Sequence, residues 1–285
     1  MHTTLDCIPC LMRLALRTAR QVTEDENLHE EVVREAAAAI SNIDLRAPPP
    51  VMAAPIYALI RKRVGVDDPL RAMRERDNRL ALALVPRLRQ RISRAVDPLG
   101  AALRISAAGN AIDFAACDEV GSAELERGID EAMSAPLDAE ILRFRQALQR
   151  VDELLWLADN AGEIVLDGLL IEQLPTKRVT LAVRGGPALN DALMTDAQAA
   201  GLPERCRVID NGSSIPGTVL EDCSDGFVQR FRSAPLIVAK GQGNFETLSH
   251  TTANLLFILK VKCPTVAAEL GRPLGSIALV WAGEE

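Results

Sequence analysis

Leu154-Leu155-Trp156-Leu157-Ala158-Asp159-Asn160-Ala161-Gly162-Glu163 is the stretch that decides the fold. Its first half is apolar and its second half is a polar, glycine-containing turn, the pattern of a buried strand ending at a loop. Residues 164–174 are apolar enough to be the helix that follows. An acid, an amide and a second acid therefore stand at the carboxyl end of a strand, where open α/β sheets build their ligand sites. The oxygens of Asp159 and Asn160 suit a hard cation such as Mg²⁺ or Mn²⁺.

Downstream, apolar runs at 179–183, 207–209, 236–239 and 277–280 alternate with helix-like segments such as 187–200 and 217–232. That alternation predicts a mostly parallel sheet covered by helices. Upstream the texture is helical. Leu11, Leu14, Ala15 and Thr18 share a helical stripe, 30–40 is alanine-rich, and Pro48-Pro49-Pro50 breaks the chain before another helix over 51–60. A further helix near Pro69 carries Asp77 and Asn78. The expected fold is α/β, with a helical N-terminal region (1–100) packed on a Rossmann-like, mostly parallel sheet sandwiched by helices (101–285). Residues 109–114 and 135–149 fit either part.

Composition narrows the function classes. With 285 residues, 48% hydrophobic and 25% charged, the chain builds a sizeable core and is not disordered. Aromatics at 3% leave few stacking platforms, and a net charge of −7 argues against nucleic acid as a partner. No apolar run reaches membrane-spanning length and Met1 to Leu16 lacks a signal-peptide core, so a membrane partner is not expected. Six scattered cysteines fit reduced thiols in the cytoplasm.

Four successive strand ends carry polar groups: Asp159, Asn160 and Glu163 first; Arg184-Gly185-Gly186-Pro187 with Asn190-Asp191 on the next helix second; Asp210-Asn211-Gly212 third; and Lys240-Gly241-Gln242-Gly243-Asn244-Phe245-Glu246 fourth. Sheet geometry gathers these loops on one edge. Asp159 and Asp191 can meet there, and a cation between them relieves their repulsion. Arg184 can grip an oxyanion, and the Gly241/Gly243 loop can let backbone N–H groups approach a phosphate. Each motif has a plainer explanation: Asp159-Asn160 as a capped turn, Asn190-Asp191 as a solvated helix face, Gly-x-Gly as a structural turn. Their joint placement at strand ends carries the case. Three histidines make a histidine-rich zinc site poor, and Cys7-Ile8-Pro9-Cys10 lacks a second matching pair.

Taken together, these elements resemble the metal-dependent damage-control phosphatases, also catalogued as domain of unknown function 89. The match runs from Cys7-Ile8-Pro9-Cys10 through Gly109-Asn110-Ala111-Ile112-Asp113-Phe114, the Asp159–Glu163 turn, the segment from Arg184 to Asp191 and the loop from Lys240 to Glu246, to Leu259-Lys260-Val261-Lys262-Cys263-Pro264. The cysteine pair looks like the mainly prokaryotic branch. The resemblance implies a divalent metal (Mg²⁺, Mn²⁺, Co²⁺ or Ni²⁺) held by Asp159, Asn160 and Asp191. It also implies a substrate phosphate held by Lys262, with Lys260 the nearest rival.

The expected reaction is hydrolysis of a small phosphorylated metabolite. Asp159, Glu163 and Lys262 are the catalytic candidates, and Arg184, Lys240, Gly241, Asn244 and Glu246 the substrate-binding ones. Glu163 or Glu246 would orient water, or Asp159 would attack phosphorus directly. Asp77 and Asn78 are expected to line a specificity cleft. A homo-oligomer is compatible with the sequence. The rivals are an S-adenosylmethionine-dependent methyltransferase, which wants more glycine after the first strand, and a non-enzymatic sensor of a phosphorylated ligand.

Overall fold

A computed structural model describes residues 1–42, 44–111, 122–174 and 177–282. Three helices open the chain: α1 (Cys7–Val22), α2 (Glu26–Ile40) and α3 (Pro49–Val64). Asp25 caps α2 by accepting from the Asn27 amide, and α3 starts on a proline and stops at left-handed Gly65. Leu11, Ala15, Val32, Ala36, Ile56 and Ile60 close these three helices around their own small apolar cluster. The long α4 (Arg71–Arg94), α5 (Pro98–Ala111), α6 (Ser122–Met133) and α7 (Asp138–Gln149) follow. Ile112, Asp113 and Phe114, the last half of one sequence motif, lie outside the described residues.

The α/β part contains β1 (Glu153–Leu157), α8 (Glu163–Ile171), β2 (Arg178–Val183), α9 (Met194–Ala199), β3 (Arg207–Asp210), α10 (Asp225–Ser233), β4 (Ile237–Lys240), α11 (Gly241–Leu248), β5 (Leu255–Lys260), α12 (Pro264–Leu270) and β6 (Ile277–Trp281). The six strands lie in the order β3-β2-β1-β4-β5-β6, all parallel except β6 against β5. The expected α/β class with helices on a mostly parallel sheet is what the chain forms.

Strand parity sorts the core. Leu154, Trp156, Leu181, Leu236, Val238 and Ile258 face one side, under α4, α5, α7 and α8. Leu155, Leu157, Ile237, Ala239, Phe257 and Leu259 face the other, against Phe227 and Phe231 of α10 and Phe245 of α11. Residue 100, the expected boundary, lies in the first turn of α5, and the apolar faces of α4 and α5 share the first of these cores.

Two local expectations change. The segment 187–193 is not helical: an isolated bridge pairs Asn160 with Asp191 and another pairs Arg184 with Leu193, and α9 begins only at Met194. That long-range pairing overrides the helical propensity of Ala188-Leu189-Asn190-Asp191-Ala192. Likewise 217–232 yields one 3₁₀ turn, Leu220–Asp222, and α-helix only from Asp225, where Ser224 accepts from the Phe227 amide as the cap.

Candidate active site

The carboxyl ends of β1, β2 and β4 meet at one point. The Ala192 amide donates to the Asp159 carbonyl at 2.7 Å and the Ala161 amide to the Asn190 carbonyl at 3.0 Å, so the loops after β1 and β2 are sewn together. Asp159, Asn160 and Asp191, far apart in sequence, are brought side by side by this stitching. Asp159 and Asp191 are 7% and 4% exposed, and Glu163 is fully buried.

Two amides and two carboxylates tighten the cluster. Asn110 of α5 donates to Asp159 Oδ2 at 2.8 Å and to Glu163 Oε2 at 3.0 Å. Asn160 donates to the same two oxygens at 2.6 and 3.3 Å. Its amide nitrogen is thereby committed, and Oδ1 is the atom it can offer a cation. Asn110 also accepts from the Lys260 amide at 2.8 Å, which ties the cluster to β5.

Burial pushes the Asp159 carboxyl well above the usual carboxylate range, and Glu163 and Asp191 push it further, against the pull of Lys262 and Arg184. Burial also raises Asp191, despite the Arg184 Nε that donates to its Oδ2 at 2.6 Å. Clustered, desolvated carboxylates with an amide oxygen among them form a hard-donor set that a divalent cation stabilises. Among the described residues no three His, Cys, Asp or Glu side chains form a ready metal cluster. The fit rests on two carboxylates and one amide, a set that favours oxygen-seeking ions over zinc.

Gly241 opens this site in an unexpected way. Its φ is +82°, and a Cβ there would lie 1.9 Å from Asp159 Oδ2. The missing side chain makes room for the Asp159 carboxylate itself. Gly185 has the same kind of duty between loops, since a Cβ would meet the Gly212 backbone at 2.6 Å.

Several expected substrate contacts turn out to be committed to the protein. Lys240 is fully buried, and its Nζ donates to Ser106 and Asp167 and lies 2.8 Å from Glu163 Oε1. Burial works against its charge, but Asp167 and Glu163 outweigh that and hold its pKa above the ordinary lysine value. Burial raises Asp167 while the facing ammonium opposes the rise. Lys240 thus stands behind the carboxylates, not open to a ligand. Arg184, besides holding Asp191, donates to Thr218 at 3.2 Å and to the Ala158 carbonyl and Asn244 at 3.3 Å each. Asn244 is buried among Arg184, Thr218 and the Lys240 carbonyl.

Lys262 differs from these. It is exposed, its amide donates to Gln242 at 3.1 Å, and its charge acts on both Asp159 and Glu246. Lys260 instead lines a separate cavity between β6 and α6–α7. Glu246 accepts from Gln242 at 2.7 Å, and burial raises its pKa to about 7. Asn78 of α4 donates to Asp196 at 2.7 Å and accepts from the Gly162 amide at 2.8 Å, so it fastens the helical region to the strand-end loop. Its neighbour Asp77 is buried beneath Arg76, which donates to Oδ1 at 3.1 Å. Both therefore sit within the junction and not on an open cleft wall.

Two residues escaped the sequence reading. Asn110 stands out in the sequence only as part of a motif, yet it bonds both central acids. Tyr57 of α3 is 3% exposed, and among the described residues its hydroxyl has no hydrogen-bond partner. Burial pushes it up to about 12, with Asp68 adding and Arg74 and Arg61 opposing, and Asp191 lies within its electrostatic reach. It is the chain's single tyrosine, a composition signal that could have drawn attention to it.

Comparison with known proteins matches the fold over almost the whole chain. A solved structure of a DUF89 family protein from Pyrococcus horikoshii superposes with a TM-score of 0.88 at 29% identity, covering 99% of each chain. An uncharacterized protein of Methanocaldococcus jannaschii is 30% identical over 96% of this chain and 94% of its own. Proteins named damage-control phosphatase from Pyrococcus horikoshii and Archaeoglobus fulgidus are 29% and 28% identical, over 97% and 95% of this chain and 97% and 96% of theirs. The damage-control phosphatase ARMT1-like domain model matches residues 3–277, and the chain belongs to that family.

Proposed function

We propose that the protein is a divalent-metal-dependent phosphomonoesterase acting on a small phosphorylated metabolite. The convergence of buried Asp159 and Asp191 with half-buried Asn160, opposite the exposed Lys262, carries this reading. Asp159, Asn160 and Asp191 would hold Mg²⁺, Mn²⁺, Co²⁺ or Ni²⁺, which when bound neutralises charge on the phosphoryl oxygens.

The chain's own residues supply the rest. Lys262 meets the remaining phosphoryl charge from the solvent side. Arg184 holds Asp191 in place, and Lys240 holds Glu163, so the acids keep their positions without a ligand. Glu246, with its pKa raised to about 7, is suited to exchange a proton near neutral pH. The damage-control phosphatases named above support the hydrolytic class. The free thiols of Cys7 and Cys10 on the first turn of α1 suit a reducing cytoplasm and the branch that carries this pair.

The test is Asp159→Asn with p-nitrophenyl phosphate at saturating Mn²⁺. Hydrolysis should fall at least ~100-fold, the order expected for loss of a central charged group. The same variant should unfold at an equal or higher temperature than the wild type without metal, because a neutral amide removes repulsion among buried acids. Undiminished phosphate release by the variant would end the proposal.

A further inference from the structure

A polar stripe of α5 meets a polar stripe of α8. Ser106 and Asn110 stand one turn apart on α5, and Asp167 and Glu163 one turn apart on α8. Ser106 donates to Asp167 at 2.6 Å and Asn110 to Glu163 at 3.0 Å, so the two helices register rung by rung. Gly109 sets how closely they approach. A Cβ there would lie 3.1 Å from Glu163 Cγ and 3.3 Å from Glu163 Cα. Around this stripe α5 is apolar and buried, through Ala102, Leu103, Ile105 and Ala108.

Asn110 does more than complete a rung. It is 1% exposed, its amide nitrogen donates to Asp159 Oδ2 at 2.8 Å as well as to Glu163, and its oxygen accepts from the Lys260 amide at 2.8 Å. A primary amide supplies two donors and an acceptor from one plane, whereas a carboxylate has no donor and a lysine no acceptor. Asn160 donates to the same Asp159 oxygen at 2.6 Å. Two amides thus fall on Oδ2, and among the described residues none falls on Oδ1. The other end of Asn110 pins the main chain at Lys260, the last residue of β5 and two residues before Lys262. Asparagine is a weak helix former, and a buried hydrogen-bonded set adds little over apolar packing. What Asn110 holds accounts for it better than what it adds to α5.

We propose that Asn110 is a positioning residue for both halves of the site. It turns Asp159 so that Oδ1 is the oxygen presented to the cation, and it sets the distance from that carboxylate to Lys262, which meets the phosphate. The inference rests on the phosphatase reading above and adds the residue that ties its metal side to its phosphate side.

The experiment titrates chelator-treated protein with Mn²⁺, and the Mn²⁺-loaded protein with inorganic phosphate, both by calorimetry. Asn110→Ala should weaken Mn²⁺ binding by about 10–100-fold, the usual cost of losing a group that orients a metal ligand. Phosphate binding at saturating Mn²⁺ should weaken too, and KM for p-nitrophenyl phosphate should rise with it. Gly109→Ala forces α5 and Glu163 apart by a few tenths of an ångström and should shift both affinities the same way by less. Leu103→Ala loosens the same helix in its apolar core, and should lower Tm with both affinities unchanged. Either affinity unchanged in Asn110→Ala, or in Gly109→Ala should the first variant not fold, overturns the inference. So does an equal loss in Leu103→Ala, since any loosening of α5 would then suffice. A wild type that binds no Mn²⁺ overturns the metal reading itself, before any variant is compared.

Discussion

Asp159 depends on what is absent beside it. Gly241 faces its carboxylate so closely that a methyl group would overlap Oδ2, and its φ of +82° is strained for any L side chain. Gly241→Ala should therefore cost ~2–4 kcal/mol in stability or displace the carboxylate. Urea denaturation together with kcat would register either result, and wild-type values in both would refute the role given to this glycine. Glu246 makes a different prediction. Its pKa rises from 4.5 to about 7 on folding. Between those values the native state holds more protons than the unfolded chain, so stability is fullest at low pH and falls as pH rises through about 7. Glu246→Gln should abolish that decline and stabilise the protein above pH 7, by on the order of 3 kcal/mol at most. A stability–pH curve unchanged by the substitution would contradict the assignment.

Elements matter through their junctions. The helix α8 is buried along its whole length, and it carries Glu163 and Asp167 one turn apart. The ammonium of Lys240, from the end of β4, sits between them. Trp156 of β1 donates to Asp167 at 3.2 Å, and Ser106 of α5 donates to it at 2.6 Å. Four elements thus share one buried polar knot. Lys240→Met should destabilise by about 3–5 kcal/mol, because it strands buried acids without a counter-charge. Lys240→Met with Asp167→Leu should recover only part of the loss, since Glu163 stays unpaired. Guanidinium melts of the two variants measure this, and a harmless single variant would contradict it. Strand parity already held the clue. Lys240 has the parity of Leu236 and Val238, whose side chains face the core under α5 and α8. Its place in a polar motif points to a ligand contact, but the strand's period of two, not the motif spacing, sets where its side chain goes.

For the whole molecule, the legible part of the sequence was the part governed by local pattern. Alternating apolar runs and polar turns predicted β1 to β4 and β6, and with them the edge on which the site stands. The six-residue run of β5 carried the same signal between Asn254 and Pro264, but it merged with the lysine-bearing motif that follows it. The 187–193 loop was not legible, because its shape depends on pairing Asp191 with Asn160, some thirty residues away. That Asp159, Asn160 and Asp191 would gather could be argued from topology. That Arg184, Lys240 and Asn244 would spend their hydrogen bonds on protein partners required side-chain directions that no spacing specifies.

Titration of Mn²⁺ into chelator-treated protein, followed by calorimetry, probes the gathered acids most directly. One ion should bind per wild-type chain, and Asp191→Asn should weaken that binding by ~100-fold or more. Equal binding to the variant, or none to the wild type, would show that these three residues do not form a cation site.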